Sequence, residues 1–189
     1  MPKIAVLALG LGVFLMSEPA PSPVRDRTLD EVRALMKYAE AHGLVRKTKK
    51  TRPVDARPAK PGEVIVTIIA GEGKETQSRP AEKGDWVVRN RCEATGNEAY
   101  LVAGDKFKER YQGAGKPAGQ DGWQEYRPLG KVMHFLVLKP EHGEFAFTAP
   151  WGERMVAKPG DAIVQDPEDP ADAYRVAAAA FACTYEILE

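Results

Sequence analysis

The chain has 189 residues, 43% of them hydrophobic and 29% charged, with 27 Lys plus Arg against 27 Asp plus Glu and a formal charge of zero. This is the composition of a soluble globular chain: it excludes a disordered protein and a multi-span membrane protein, and the neutral total argues against a dedicated polyanion binder. The zero is a cancellation, because residues 21–60 hold 11 basic against 5 acidic side chains, residues 161–189 hold 1 against 7, and residues 61–160 balance at 14 each.

Residues 4–16 form an apolar run behind Lys3, the size of a signal-peptide core and too short to span a bilayer. Cleavage after Ala20 would put Glu18 at a small-residue position and Pro21 just past the cut, a poor site. The run is therefore expected to pack on the body or on a partner chain, which favours the cytoplasm. Export is the alternative, and membrane contact follows only if this run is an anchor. After Pro19, Pro21 and Pro23, Thr28 to Glu31 read as a capping box, and Leu29, Val32, Leu35, Met36 and Ala39 continue at helical spacing until Gly43.

Arg46, Lys47, Lys49, Lys50 and Arg52 then crowd into seven residues. Such a tract can neutralise phosphates, but it lacks interleaved aromatics, so a solvated connector is the expectation and nucleic acid is disfavoured as a partner; contact with an anionic surface or nucleic acid through residues 46–52 is the second alternative function. The cationic excess here and the anionic excess at the carboxyl end predict that the two ends meet, within one chain or head to tail in a homo-oligomer.

The rest of the chain reads as two copies of one unit. Tyr100, Val102, Ala103, Phe107 and Tyr111 are matched without a gap by Tyr174, Val176, Ala177, Phe181 and Tyr185. Upstream, Lys83, Gly84 and Asp85 before Trp86, Val87 and Val88 answer to Pro159, Gly160 and Asp161 before Ala162, Ile163 and Val164. Further back, Gly62 to Thr67 answers to Gly143 to Thr148. Gly-Asp is turn chemistry, the β-branched runs are strands, and Phe107 to Tyr111, like Phe181 to Tyr185, has the spacing of a short helix covering a sheet. Further strands are expected at 63–69, 131–138 and 144–148. The fold class is α+β: two similar small antiparallel-sheet units, each capped by a short helix and packed as one pseudo-symmetric body, plus an N-terminal helix. The segments are an apolar stretch and spacer at 1–25, a helix and basic connector at 26–48, units at 49–111 and 124–189, and a Gly-rich linker at 112–123.

The set G-D-x-[VI]-V followed by Y-x-V-x-x-x-x-F-x-x-x-Y resembles the PGDYG family of small bacterial and tailed-phage proteins, in which a segment like Lys49 to Ala56 opens the unit as a strand. The chain departs from it with Trp86 and Ala162 in place of the motif Tyr, without the Pro in the first copy, and with an added N-terminal region. The resemblance implies the fold unit and no catalytic residues.

No catalytic signature stands. Gly71 to Thr76 fails as a phosphate loop because Ile68 and Glu75 occupy positions that need Gly and Ser or Thr. The carboxylates of Asp166, Glu168, Asp169 and Asp172 lack calcium-loop spacing and read as a solvated loop. Cys92 and Cys183 have no metal-ligand spacing; each reads as a small buried hydrophobe, or as half of a disulfide if the chain is exported. No metal or cofactor is expected.

Residues shared by both copies, Gly84, Asp85, Tyr100, Phe107 and Tyr111 with Gly160, Asp161, Tyr174, Phe181 and Tyr185, are assigned to folding. Residues present in one copy are freer to serve function. Glu75, Arg79, Trp86, Arg89 and Asn90, with Trp151, are the candidate ligand-binding residues, since Arg beside Trp can hold an anionic or planar ligand; a surface ion-pair lattice is the plainer reading of the same arginines. The expected function is non-catalytic binding of a small molecule or a protein. The alternative is an enzyme acting on a small polar substrate between the copies through Glu75, Arg79, Asp85 and a tyrosine.

Overall fold

The structure is a computed structural model that describes residues 24–117, 119 and 121–189; the apolar run at 4–16 lies outside the described residues. In chain order the elements are β1 (Arg25–Asp26), α1 (Leu29–Ala41), β2 (Arg46–Lys50), β3 (Val54–Pro58), β4 (Val66–Ile69), β5 (Gly73–Gln77), β6 (Trp86–Asn90), β7 (Ala99–Val102), α2 (Gly104–Arg110), β8 (Tyr111–Pro117), β9 (Gln124–Pro128), β10 (Val132–Val137), β11 (Phe145–Thr148), β12 (Arg154–Ala157), β13 (Ala162–Gln165), β14 (Ala173–Val176), α3 (Ala178–Thr184) and β15 (Tyr185–Leu188). The fold is mixed α+β and mostly sheet. Among the described residues no helix is long and apolar enough to cross a membrane.

Helix α1 begins where its side chains close a capping box: the Glu31 amide donates to Thr28 Oγ1 at 3.2 Å and the Thr28 amide donates to Glu31 Oε2 at 2.7 Å. Its buried Val32, Met36 and Ala39, at i, i+4 and i+7, pack on Leu136, Leu138, Phe145, Phe147 and Ile163.

Two five-stranded sheets form the body, in the orders β7-β6-β3-β9-β8 and β14-β13-β10-β2-β15, and every pair in them is antiparallel. In each, three strands pair in turn and a short helix leads to the edge strand. The slot between the first and last of these is filled from elsewhere in the chain: β9, which precedes β10 in sequence, lies between β3 and β8, and β2, which precedes β3, lies between β10 and β15. Each sheet therefore contains the strand that leads into the other. The registers agree: Tyr111 pairs with Pro128 in one sheet and Tyr185 pairs with Lys50 in the other.

Two sequence expectations change here. The basic tract is a strand rather than a solvated connector, because its backbone is claimed on both sides by β10 and β15 and Thr48 is fully buried. The first half of the 112–123 linker, Gln112 to Pro117, is likewise structured, as part of β8, since β9 supplies the hydrogen-bond partners that a Gly- and Pro-rich run cannot supply for itself. The opposed ends do meet, through backbone pairing of β2 with β15, but only one ion pair joins these two strands, Lys49 to Glu186 at 3.6 Å. Arg52 adds a hydrogen bond to Cys183 Sγ at 3.0 Å.

The two Gly-Asp turns do the same job. Gly84 and Gly160 sit at φ +101° and +97°, and the following carboxylates bind both the turn and a helix start. Asp85 accepts from the Glu82 amide at 2.8 Å, with the Gly104 amide favouring its charge, while Asp161 accepts from Lys158 at 3.0 Å and Ala178 at 3.1 Å. At Gly104 the approach is so close that a Cβ would collide with the Gly84 carbonyl oxygen, whereas Ala178 already carries its methyl 3.9 Å from the space at Gly160. Gly104→Ala should therefore cost about 1–3 kcal/mol in urea unfolding, and Ala178→Gly about 1 kcal/mol or less. Equal effects would show that the Gly84 carbonyl can yield.

Phe107 and Phe181 bury beneath their helices, stacked with Tyr111 and Tyr185 at 5.2 and 5.1 Å between ring centroids. Cys92, past the end of β6, is bonded to Cys183 in α3, so a disulfide links the two sheets' parts of the chain; Cys92 is buried as expected but is not a free thiol.

Candidate ligand-binding site

The tyrosine blocks repeat at eleven-residue spacing, and a seven-residue helix spans each interval. This arrangement returns the second tyrosine beside the first. Tyr100 and Tyr111 hydroxyls lie 3.2 Å apart, and those of Tyr174 and Tyr185 lie 3.3 Å apart. All four line one cavity of about 400 Å3 between the two five-stranded sheets. Burial pushes the Tyr100 and Tyr185 hydroxyls well above their ordinary pKa and raises Tyr174 as well, so these groups are neutral hydroxyls at physiological pH.

Two cations enter this cavity at positions where the other sheet has none. Lys50, at the end of β2, occupies the register position that Pro128 holds in the other sheet. Its ammonium donates to Asn90 Oδ1 and to the Tyr100 hydroxyl, both at 2.7 Å, and reaches the Tyr111 hydroxyl at 3.5 Å. Asn90 in turn donates to Glu98 Oε1 at 2.6 Å, and Thr95 donates to the other Glu98 oxygen. Arg110, just before Tyr111, corresponds to Thr184. It pairs with buried Asp172 and stands 5.5 Å from the Tyr174 ring centroid. Burial opposes its charge, yet the neighbouring Tyr174 and Asp172 outweigh that and raise its pKa.

A second wall comes from the β4–β5 hairpin and β12. Arg175 is almost fully buried and bonds three carboxylates: Asp161 at 2.8 Å, Glu72 at 3.1 Å, and Glu75. Burial raises Glu75 despite this pairing, and burial likewise raises Glu153 on the same wall. The Asp166 to Asp172 segment is not simply solvated: Asp166 and Asp172 are 3% and 5% exposed, held by Lys131 and Arg110.

Of the residues proposed from sequence, Glu75, Arg79, Asn90 and Trp151 line this cavity, as do the four tyrosines assigned to folding. Arg79 pairs with Asp85 at 2.7 Å, so the trio considered for catalysis is tied up in ion pairs to Arg175 and within itself. Trp86 and Arg89 are not among the lining residues. Trp86 is a core side chain stacked on Phe107 with centroids 4.2 Å apart, and Arg89 pairs with Asp55 at 2.8 Å and lies over Trp123. With Arg91 bound to Asp55 and Glu125, these arginines form an ion-pair lattice. Lys50, Glu98, Arg110, Asp172 and Arg175 were not picked out by sequence reasoning. Comparing the copies at Arg110 and Thr184 could have found Arg110; Lys50 could be compared with Pro128 only once the sheet register was known.

The chain matches no family model, no curated protein and no solved structure.

The cavity can offer hydrogen-bond donors in surplus. Three of its carboxylates are already engaged: Glu98 by Asn90 and Thr95, Asp172 by Arg110 and Lys106, Glu75 by Arg175. Each tyrosine pair uses one hydroxyl proton in its mutual bond. In the first pair the other proton has Asn90 Oδ1 as acceptor, 3.3 Å from Tyr100. In the second pair the remaining hydroxyl proton has no acceptor among the described residues, and the same holds for most of the Arg110 N–H groups.

Proposed function

We propose that the protein is a non-catalytic binding protein built from two tandem, pseudo-symmetric PGDYG-like units, which holds a small molecule in the cavity between them. The observation that carries this reading is the convergence of both tyrosine pairs with Lys50 and Arg110 on one cavity of about 400 Å3, a size usual for small-molecule sites. A residue required to build the unit should recur in both copies. Lys50 and Arg110 do not, their counterparts being Pro128 and Thr184, and both cations are only partly buried, so they stay open to a ligand. The matching strand orders of the two sheets support the duplication.

The Cys92–Cys183 bond favours an oxidising compartment, and with it the export reading of residues 4–16; an N-terminus of the native protein still starting at Met1 would count against that.

The binding reading is tested by melting the oxidised protein against a panel of carboxylates, sugars, nucleotides and amino acids. A ligand should raise the melting temperature of the wild type and lose that effect in Arg110→Thr, which installs the residue of the other copy. No shift with any compound, or a shift unaltered in the variant, would remove the cavity as the site.

A further inference from the structure

We infer that the ligand of this cavity is a monocarboxylate with an apolar body, its carboxylate received by Lys50, Arg110 and the Tyr174–Tyr185 hydroxyl pair and its body lying against Val102, Met133 and Trp151. This rests on the reading of the cavity as a binding site and adds the class of molecule.

Three observations define the head group. The donors of this part of the cavity outnumber its acceptors. The Tyr174–Tyr185 pair keeps one hydroxyl proton, and Arg110 keeps N–H groups beyond the one on Asp172, without acceptors among the described residues, while the nearby carboxylates are already satisfied. The ligand must therefore present oxygen acceptors rather than donors. The charge it should carry is one. Lys50 has no carboxylate within ion-pair distance among the described residues, its direct partners being the neutral oxygens of Asn90, Tyr100 and Tyr111, whereas Arg110 is already matched by Asp172. A doubly charged phosphate would add a second negative charge to a cavity whose lining holds as many acidic as basic side chains. The hydroxyls are also held protonated by their burial, so they remain donors across the neutral range.

The body follows from the rest of the lining. Away from these groups the wall includes Val102, Met133, Met155, Trp151 and Val176, which favour apolar surface and adapt to its shape.

The test is calorimetric titration of the full-length oxidised protein with 4-phenylbutyrate, its primary amide and phenyl phosphate. The acid should bind, the amide should bind at least about tenfold more weakly because it returns donors and no charge to the same groups, and phenyl phosphate should also be weaker. Lys50→Met should weaken the acid by about tenfold or more and leave the amide unchanged. The substitution is compatible with the sheet, since the same position in the other sheet is Pro128. Should it fail to fold, Tyr185→Phe removes a single hydroxyl donor and should weaken the acid alone.

Equal binding of acid and amide would overturn the carboxylate assignment and leave the binding cavity standing. Tighter binding of phenyl phosphate would overturn it in favour of a phosphate monoester. Failure of all three to bind would also overturn it, and the cavity reading would then fall only if the wider panel gave no shift.

Discussion

Removing the Cys92–Cys183 bond is expected to lower the stability of the protein by about 2–5 kcal/mol, the largest effect of any change outside the apolar core. The two cysteines are 91 residues apart, so the bond closes a long loop and strongly restricts the unfolded chain. The folded state accommodates it: the Cα atoms are 6.0 Å apart, in the ordinary range for a disulfide. It also joins the segment after β6 to helix α3, and so ties together the two bodies whose boundary forms the cavity. Thermal unfolding with and without reductant, repeated on the Cys92→Ala/Cys183→Ala double variant, should show a melting temperature lower by on the order of 10 °C for a chain of this size. The double variant should be insensitive to reductant. If the native protein takes up a thiol-alkylating reagent without prior reduction, the bond is not formed and this expectation fails.

Asp161→Ala should be nearly as damaging, at about 2–4 kcal/mol. Asp161 is fully buried and serves three donors at once: the Lys158 amide, the Ala178 amide at the start of α3, and Arg175 Nε. Its loss uncaps the turn and the helix and leaves Arg175 Nε, on a side chain that is 3% exposed, without its acceptor, while Glu72 and Glu75 still hold the other guanidinium nitrogens. Asp85→Ala is the built-in comparison. Asp85 makes the equivalent turn bond, and its arginine, Arg79, is 34% exposed and can rehydrate. Asp85→Ala should therefore cost clearly less, and the difference between the two variants in urea unfolding measures the penalty of leaving the buried Arg175 Nε without an acceptor. Equal losses would show that the cap, not the buried charge, dominates at Asp161. The corresponding strand position in the other sheet is Leu101, so that sheet carries no counterpart of the Arg175 cluster there.

Features that depend on neighbours a few residues away were legible in the sequence. The capping box at Thr28 and Glu31, the left-handed glycines at 84 and 160, and the short helices at Phe107 and Phe181 are all local geometry, and each occurs where the spacing places it, although both helices end one residue before Tyr111 and Tyr185. The acidic loop misled because Asp166 and Asp172 look like solvent residues until Lys131 and Arg110 arrive from other elements to neutralise them. Four of the six candidate residues line the cavity and two do not, for a similar reason. Arg79 and Asn90 point into the cavity, while Trp86 and Arg89, equally specific to one copy, are taken up by Phe107 and by Asp55 on other surfaces.

By itself, then, the sequence determined that the chain contains a capped helix, two Gly-Asp turns and two tyrosine-bearing strand and helix blocks, because caps, turns and helical spacing are decided by atoms within a few residues of one another. Only the tertiary structure decided that β2 lies in the sheet of the second block and β9 in that of the first, that Lys50 thereby enters a cavity ringed by four tyrosines, and that Cys92 meets Cys183. Strand pairing is made through backbone groups common to every residue, so a run such as Arg46 to Lys50 carries no mark of which sheet will claim it. Its partner is chosen by the packing of the whole chain.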